Sequence, residues 1–288
     1  MRVCRQVDEF REACDATRRG GGSVGLVPTM GALHGGHLAL VEEARRQSSD
    51  VAVSIFVNPT QFGPNEDLAR YPRDLEGDLG KCEQAGAALV FAPAIDEMYP
   101  AEEHTRVHVA SLTEHLCGAS RPGHFEGVTT IVAKLFAVTG SCTAVFGRKD
   151  YQQLKVIERM VRDLLLPVRV VGYPIVRETD GLALSSRNLY LSADERQSAL
   201  SIPRALSGAV ARFSAGERSV LALREPVVAA IDAAGLRVDY ATLADADEIA
   251  PLSDRVADRA LFAVAAFAGK TRLIDNVVLG EDPAPISA

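Results

Sequence analysis

Five short runs constrain this chain more than any other feature: SVGLVPT (23–29), VAVSIFVN (51–58), AALVFAP (87–93), TAVFG (143–147) and VRVVGYPIV (168–176). Each is nearly free of charge and bounded by Gly, Pro or Asn, the pattern of a strand buried on both faces. Between them lie HLALVEEARRQ (37–47), DLEGDLGKCEQAG (74–86), EGVTTIVAKLFAVT (126–139) and DYQQLKVIERMVRDLL (150–165). These carry apolar residues at helical spacing, as in Leu154, Ile157, Val161 and Leu164. Alternating strands and helices predict an α/β fold, a Rossmann-like doubly wound parallel sheet covered on both faces.

After about residue 177 the rhythm changes. SADERQSALSIPRALSGAVARF (192–213) reads as one helix and VLALREPVVAAIDAAG (220–235) as a second, followed by strands RVDYATLA, ALFAVAAFA and TRLIDNVVL. Ser192 with Glu195 three residues on is a capping-box signature that fixes a helix start. The expected organisation is a Rossmann-like domain over 1–176 and a smaller C-terminal α+β lid domain over 177–288. The run Gly20, Gly21, Gly22 reads as a turn entering the first strand.

A chain of 288 residues with formal charge −7 does not suit a protein that coats nucleic acid, though a basic pocket within it could still take a small anion. The five cysteines, Cys4, Cys14, Cys82, Cys117 and Cys142, form no C-x-x-C pair and suggest free thiols in a reducing cytoplasm. The longest charge-free stretches are too short to span a membrane, so a soluble, cytoplasmic protein is expected.

In an open parallel sheet, ligands bind beyond the carboxyl ends of the strands. Those ends read PTMGALHGGH, NPTQFGPNEDLARYP, FGRKDYQQ and VRETDGLALSSRN, all rich in polar groups. His34 and His37 stand where the first of these ends enters a helix, and their three-residue spacing puts both imidazoles on one side of its first turn. Free N–H groups and the helix dipole favour an anion there. The same pair could instead cap or pack the helix. A zinc site would call for histidines at i and i+4 with a glutamate between, and for a third ligand.

PTMGALHGGH resembles the His-x-Gly-His signature of the adenylate-forming nucleotidyltransferases. FVNPTQF, RPGHFEGV, FGRKDYQQL and DGLALSSRN, in that order, narrow the resemblance to the pantoate–β-alanine ligase family. It covers nearly the whole chain, most densely residues 27–190. It implies an ATP-dependent condensation of (R)-pantoate with β-alanine to pantothenate by way of a pantoyl adenylate, with release of AMP and pyrophosphate. It also implies ATP as substrate with Mg²⁺, small-molecule partners alone, neither nucleic acid nor membrane, and a homodimer.

By the same resemblance His37, His34 and Lys149 are catalytic. ATP is expected to contact Met30, Gly31, Ala32, Leu33, His34, Gly35, Gly36 and His37, then Gly147, Arg148, Lys149 and Asp150, and finally Val176, Leu184, Ser185, Ser186 and Arg187. Gln61 and Gln153 are expected to bind pantoate and β-alanine, and no protein-held metal is expected. An amide suits that task because it donates and accepts without adding charge. Asp150 and Gln153 could equally form a capping box, Asn58 a turn, and Ser185 and Ser186 a turn. Tyr71, Arg121 and His124 lie in the same segments and are further candidates. Two departures from the family pattern are Arg148, where an acidic residue is expected, and Leu184, where methionine is usual. Two alternatives compete: transfer of AMP or CMP to a phosphorylated acceptor, which would want extra Lys or Arg at Gln61 and Gln153, and a nucleotide-binding module without turnover.

Overall fold

In the computed structural model, which describes residues 1–64 and 66–286, the chain packs as two compact units. The first comprises Met1–Ala110, Arg121–Arg148 and Val156–Pro174; the second comprises Ser111–Ser120, Lys149–Lys155 and the chain from Ile175. No helix among the described residues is long and apolar enough to cross a membrane.

The first unit is built on six parallel strands: β1 (Arg2–Cys4), β2 (Val24–Thr29), β3 (Asp50–Ile55), β4 (Leu89–Phe91), β5 (Cys142–Gly147) and β6 (Val168–Tyr173). Their order across the sheet is β1-β4-β3-β2-β5-β6. The chain winds outward from β2 through β3 to β4 on one side and from β5 to β6 on the other. The winding therefore reverses between β2 and β5, where an open α/β sheet leaves a crevice beyond its strand ends. The segments leaving those two strands begin at Met30 and Arg148.

Packing follows from the apolar runs. Val27, Val51, Val53, Val90 and Val145 meet Leu33, Leu40, Val41 and Cys82 from the helices Gly35–Gln47 and Leu75–Gln84 and the loop before them. Phe10 stacks on Phe91 with ring centroids 4.6 Å apart and planes at 9°. Each such fully buried side chain contributes about 1.5–3 kcal/mol of transfer free energy.

Two expectations need correction here. The Gly20–Gly22 turn enters the second strand, because β1 and the helix Val7–Arg19 precede it. Their stretch is charged throughout, and only Cys4, Phe10, Ala13 and Cys14 turn inward. The expected single helix over 192–213 is two, Ala193–Ala199 and Ser201–Ser214. Pro203 sits in the first turn of the second helix and has no N–H to donate back to Ala199, which suits a helix start and not an interior.

In the second unit β7 (Arg237–Ala244), β8 (Ala260–Ala268) and β9 (Thr271–Leu279) form an antiparallel meander. The helices Ser201–Ser214 and Val220–Ala233 pack Ile202, Leu206, Phe213, Leu223 and Ile231 against Leu243, Phe262, Val264 and Val277. Ser192 and Glu195 form the reciprocal cap that their spacing predicts.

Candidate active site

Within the first unit, the loop leaving β2 is held in a conformation that backbone sterics disfavour. Gly31 and Ala32 have φ of +84° and +50°, in the left-handed region. Asp78, only 1% exposed on the helix Leu75–Gln84, accepts the N–H of Ala32 at 2.7 Å and of Leu33 at 2.8 Å. Lys81 lies 3.5 Å from the same carboxylate and donates to the Leu33 carbonyl at 2.9 Å. A side chain at Gly31 would put its Cβ 3.0 Å from Asp78 Oδ2, so glycine is needed there twice over.

This loop delivers His34 as the N-cap of the helix Gly35–Gln47. His34 Nδ1 accepts the Gly36 N–H at 3.1 Å, and His37 Nδ1 accepts the His34 N–H at 3.4 Å. The rings lie 4.1 Å apart, centroid to centroid. Capping and ligand handling need not compete. Because each Nδ1 accepts, the neutral imidazole carries its proton on Nε2, the form in which that nitrogen can donate to a phosphate oxygen.

Gln61 is aimed by a second network in the same unit. Asn58, 1% exposed at the end of β3, caps the turn Pro59–Gln61, and its carbonyl oxygen accepts from the Thr60 hydroxyl and from Tyr99 Oη at 2.8 Å. Its NH₂ group donates to the Gly127 carbonyl at 3.1 Å and to Gln61 Oε1 at 3.0 Å. That leaves the Gln61 NH₂ directed at Met30 Sδ, 3.1 Å away, a weak acceptor. Asn58 is thus both the turn residue its sequence suggests and the group that fixes the polarity of the glutamine amide.

Arg121 and His124 hold the main chain of Gln61. Arg121 donates through Nε and Nη2 to Glu66 at 2.7 and 2.6 Å and through Nη1 to His124 Nε2 at 3.0 Å. His124 Nδ1 then donates to the Gln61 carbonyl at 2.9 Å. Burial raises the Glu66 pKa, but the Arg121 hydrogen bonds and charge outweigh it and hold the carboxyl below its ordinary range. Tyr71 is buried edge-on against Phe62.

β5 ends at Gly147, and a 3₁₀ turn, Arg148–Asp150, leads into the helix Tyr151–Asp163. In the second unit, Asn276 Nδ2 donates to the Lys149 carbonyl at 2.9 Å, and Lys149 Nζ lies 3.8 Å from Asp150. Gln153 is half-buried in the first turn of the helix. Its neighbour Gln152 is the buried amide, taking the Cys117 N–H and donating to the carbonyls of Leu112 and His115.

The segment from Val176 to Arg187 is folded back on itself. The Leu184 N–H meets the Val176 carbonyl at 2.9 Å, and Ser185 Oγ accepts the Arg187 N–H, capping the turn Ser186–Tyr190. Arg177 is bidentate to buried Asp275 at 2.8 and 2.9 Å, and Glu178 accepts from Asn188 at 2.7 Å. Lys149, Ser185, Arg187, Asn188, Arg272 and Asp275 line one pocket of this unit. The turn expected of the serines is therefore real, and it presents Ser185 together with the cationic side chains of Lys149, Arg187 and Arg272. Among the described residues no group of three His, Cys, Asp or Glu side chains could hold a metal ion.

A family model described as Pantoate-beta-alanine ligase matches residues 2–278. A pantothenate synthetase from Moorella thermoacetica is 54% identical over 280 residues, 97% of this chain and 99% of that protein, and one from Geobacter sulfurreducens is 51% identical over 283 residues, 98% and 100%. A crystal structure of pantothenate synthetase from Thermus thermophilus superposes with a TM-score of 0.90 at 49% identity, covering 97% of this chain and 99% of that one. A pantoate-beta-alanine ligase from Francisella tularensis, complexed with beta-gamma ATP and beta-alanine, superposes with a TM-score of 0.80 at 30% identity, covering 98% and 99%. With a fold and islands of sequence matched from end to end, the chain belongs to the pantoate–β-alanine ligase family.

Proposed function

We propose that this member of the family joins (R)-pantoate to β-alanine in two steps. A pantoate carboxylate oxygen attacks the α-phosphorus of ATP and pyrophosphate leaves; the β-alanine amine then attacks the acyl carbon of the pantoyl adenylate, loses a proton and expels AMP. The observation that carries this reading is the reciprocal His34–His37 cap, which sets both imidazoles as Nε2–H donors at a helix N-terminus, beside the point where the sheet reverses its winding. The reaction needs little covalent help from the protein. It needs placement of the carboxylate and stabilisation of charge growing on phosphate oxygens.

His37 then donates to the α-phosphate, His34 orients the β- and γ-phosphates, and Lys149 with Ser185, Ser186 and Arg187 supplies further donors. The backbone from Met30 to Gly36, with Gly147, Arg148, Asp150, Val176 and Leu184, completes the ATP contacts. Gln61 and Gln153 bind pantoate. Pantoate offers the Gln61 NH₂ a stronger acceptor than the thioether it meets in this structure. Mg²⁺ enters with ATP, held by the phosphates and few protein ligands. The chain is expected to work as a homodimer in the cytoplasm, and its five buried free cysteines suit a reducing compartment.

The test is mass detection of pantothenate and AMP after mixing the protein with ATP, Mg²⁺, pantoate and β-alanine, omitting each in turn. Pyrophosphate should form in a single turnover without β-alanine. Pantothenate formation without that prior burst would refute the adenylate, and no pantothenate at all would refute the activity.

A further inference from the structure

We propose that Asp78 is a positioning residue for ATP, acting through the loop that carries the histidine pair; this rests on the ATP reading above. The carboxylate is almost fully buried, its ion pair with Lys81 is a loose 3.5 Å, and its two short hydrogen bonds are both accepted from main-chain N–H groups of one loop. Those bonds fall on Ala32, itself in the left-handed conformation that begins at Gly31, and on Leu33, directly before the cap. A left-handed alanine is a conformation the chain leaves unless something holds it. Two charge-assisted bonds to adjacent N–H groups hold it here, and Lys81 closes the bracket from the carbonyl side.

Local geometry makes the consequence specific. Release of Ala32 and Leu33 would let φ of Ala32 return to the negative region, turning the peptide planes that lead into His34. The His34 N–H would then no longer point at His37 Nδ1, and both imidazoles would lose the tautomer and direction that the cap imposes. Gln61 has its own supports in Asn58, His124 and Arg121, so pantoate recognition should be spared.

Asp78→Asn keeps the side chain's size but leaves one acceptor oxygen, so the amide NH₂ faces a loop N–H. Pantoate-dependent exchange of labelled pyrophosphate into ATP should be measured per folded protein for wild type, Asp78→Asn, His37→Ala and the double variant. Asp78→Asn should lower kcat/KM for ATP at least tenfold with the pantoate KM within about twofold, and in the His37→Ala background it should cost less than about twofold more. Equal damage to both substrates, or losses that multiply, would overturn the proposal.

Two further arms keep it decidable. Lys81→Met changes a half-exposed side chain and should raise the ATP KM about threefold without unfolding the protein; an unchanged KM, with Asp78→Asn too unstable to assay, overturns the proposal. Long-range ¹⁵N spectra of the ligand-free imidazoles should show Nδ1 as acceptor for His34 and His37 in wild type and a redistributed pattern in Asp78→Asn. A wild-type pattern in the variant defeats the role of Asp78 whatever the activity. Absence of exchange in the wild type defeats the functional reading instead and leaves the spectra to decide on Asp78.

Discussion

Gly127→Ala should damage turnover far more than stability. Gly127 lies in the first turns of the helix His124–Thr139, and an ideal Cβ built there falls 2.4 Å from the Thr60 carbonyl oxygen, 2.6 Å from its carbon and 2.7 Å from Gln61 Cα. All three are backbone atoms, so no side chain can swing aside. Either the turn Pro59–Gln61 or the helix start must move by about 0.6 Å to bring the closest contact even to 3.0 Å. Overpacking of this kind costs roughly 1–3 kcal/mol. Alanine in place of glycine in a helix returns about 1 kcal/mol. The net loss of up to about 2 kcal/mol corresponds to a fall in Tm of at most about 4–8 °C.

The kinetic effect is larger because what moves is the residue that aims at pantoate. Gly127 also offers its carbonyl to Asn58, the residue that sets the polarity of the Gln61 amide. Displacements near 1 Å in a positioned group cost about a hundredfold in rate, so at least tenfold in kcat/KM for pantoate is expected here, with the ATP KM little changed. Gly208→Ala in the helix Ser201–Ser214 is the control, since its Cβ meets nothing within 4 Å; it should stabilise the protein and leave kinetics unchanged. The assay is steady-state turnover over a pantoate series, with thermal unfolding on the same preparations. Gly127→Ala with normal pantoate kinetics would refute the reasoning. So would an activity loss that merely follows the unfolded fraction.

Three other outcomes are expected. Lys149→Ala should slow single-turnover adenylation about a hundredfold, the ~3 kcal/mol typical of one lost donor to developing charge, with little change in Tm; rapid-quench measurement at a near-normal rate would exclude its role. Glu66→Gln should cost roughly 1–2 kcal/mol of stability at neutral pH by removing a charged partner of Arg121. Because pairing depresses the Glu66 pKa, that stabilisation is present above its unfolded value near pH ~4.3 and is lost as pH falls through the lower folded value, so urea unfolding curves of variant and wild type should converge in acid, and a constant gap across that window would contradict it. Burial pushes the thiols of Cys14 and Cys142 up to about 12 and of Cys82 up to about 11, so mass spectrometry after iodoacetamide at pH 8 should find these three unmodified in the native protein and labelled in urea; native labelling at a free-thiol rate would show that they are not buried.

How much of this was readable in the sequence depends on the distance over which each feature is determined. β7, β8 and β9 match their sequence runs residue for residue, because period-two or continuous apolar patterning and the flanking turns are local. The strand ends that carry His34, His37, Gln61 and Lys149 were legible for the same reason, since a parallel sheet puts its ligand side there by topology. Tyr99 was not, because its bond to Asn58 joins residues 41 apart and no spacing rule pairs them. Arg121 was a candidate by itself, but its pairing with Glu66, 55 residues away, was hidden in the same way. Asp78 was masked by a commoner role: an acidic residue in the first turn of a helix usually does no more than complement the dipole. The available signal was its position between Leu75 and Cys82 on the inward stripe of that helix, where a lone carboxylate has to find buried donors.

The two histidines three residues apart meet three competing readings at once. As a packing pair they would bury both rings, yet both stay partly exposed. As zinc ligands they would need a third group, and none of the described acidic, thiol or imidazole side chains completes a set with them. As a cap each uses Nδ1 to accept a main-chain N–H that a helix start must satisfy in some way. Serine or aspartate would cap as well, but neither would leave an N–H donor pointing away from the helix. Imidazole is the side chain that closes the helix with one nitrogen and places its donor on the other, and Gly35 and Gly36 between the two rings leave the main chain open to an anion. The capping role thus supports the phosphate role, because it fixes which nitrogen carries the proton before any ligand arrives.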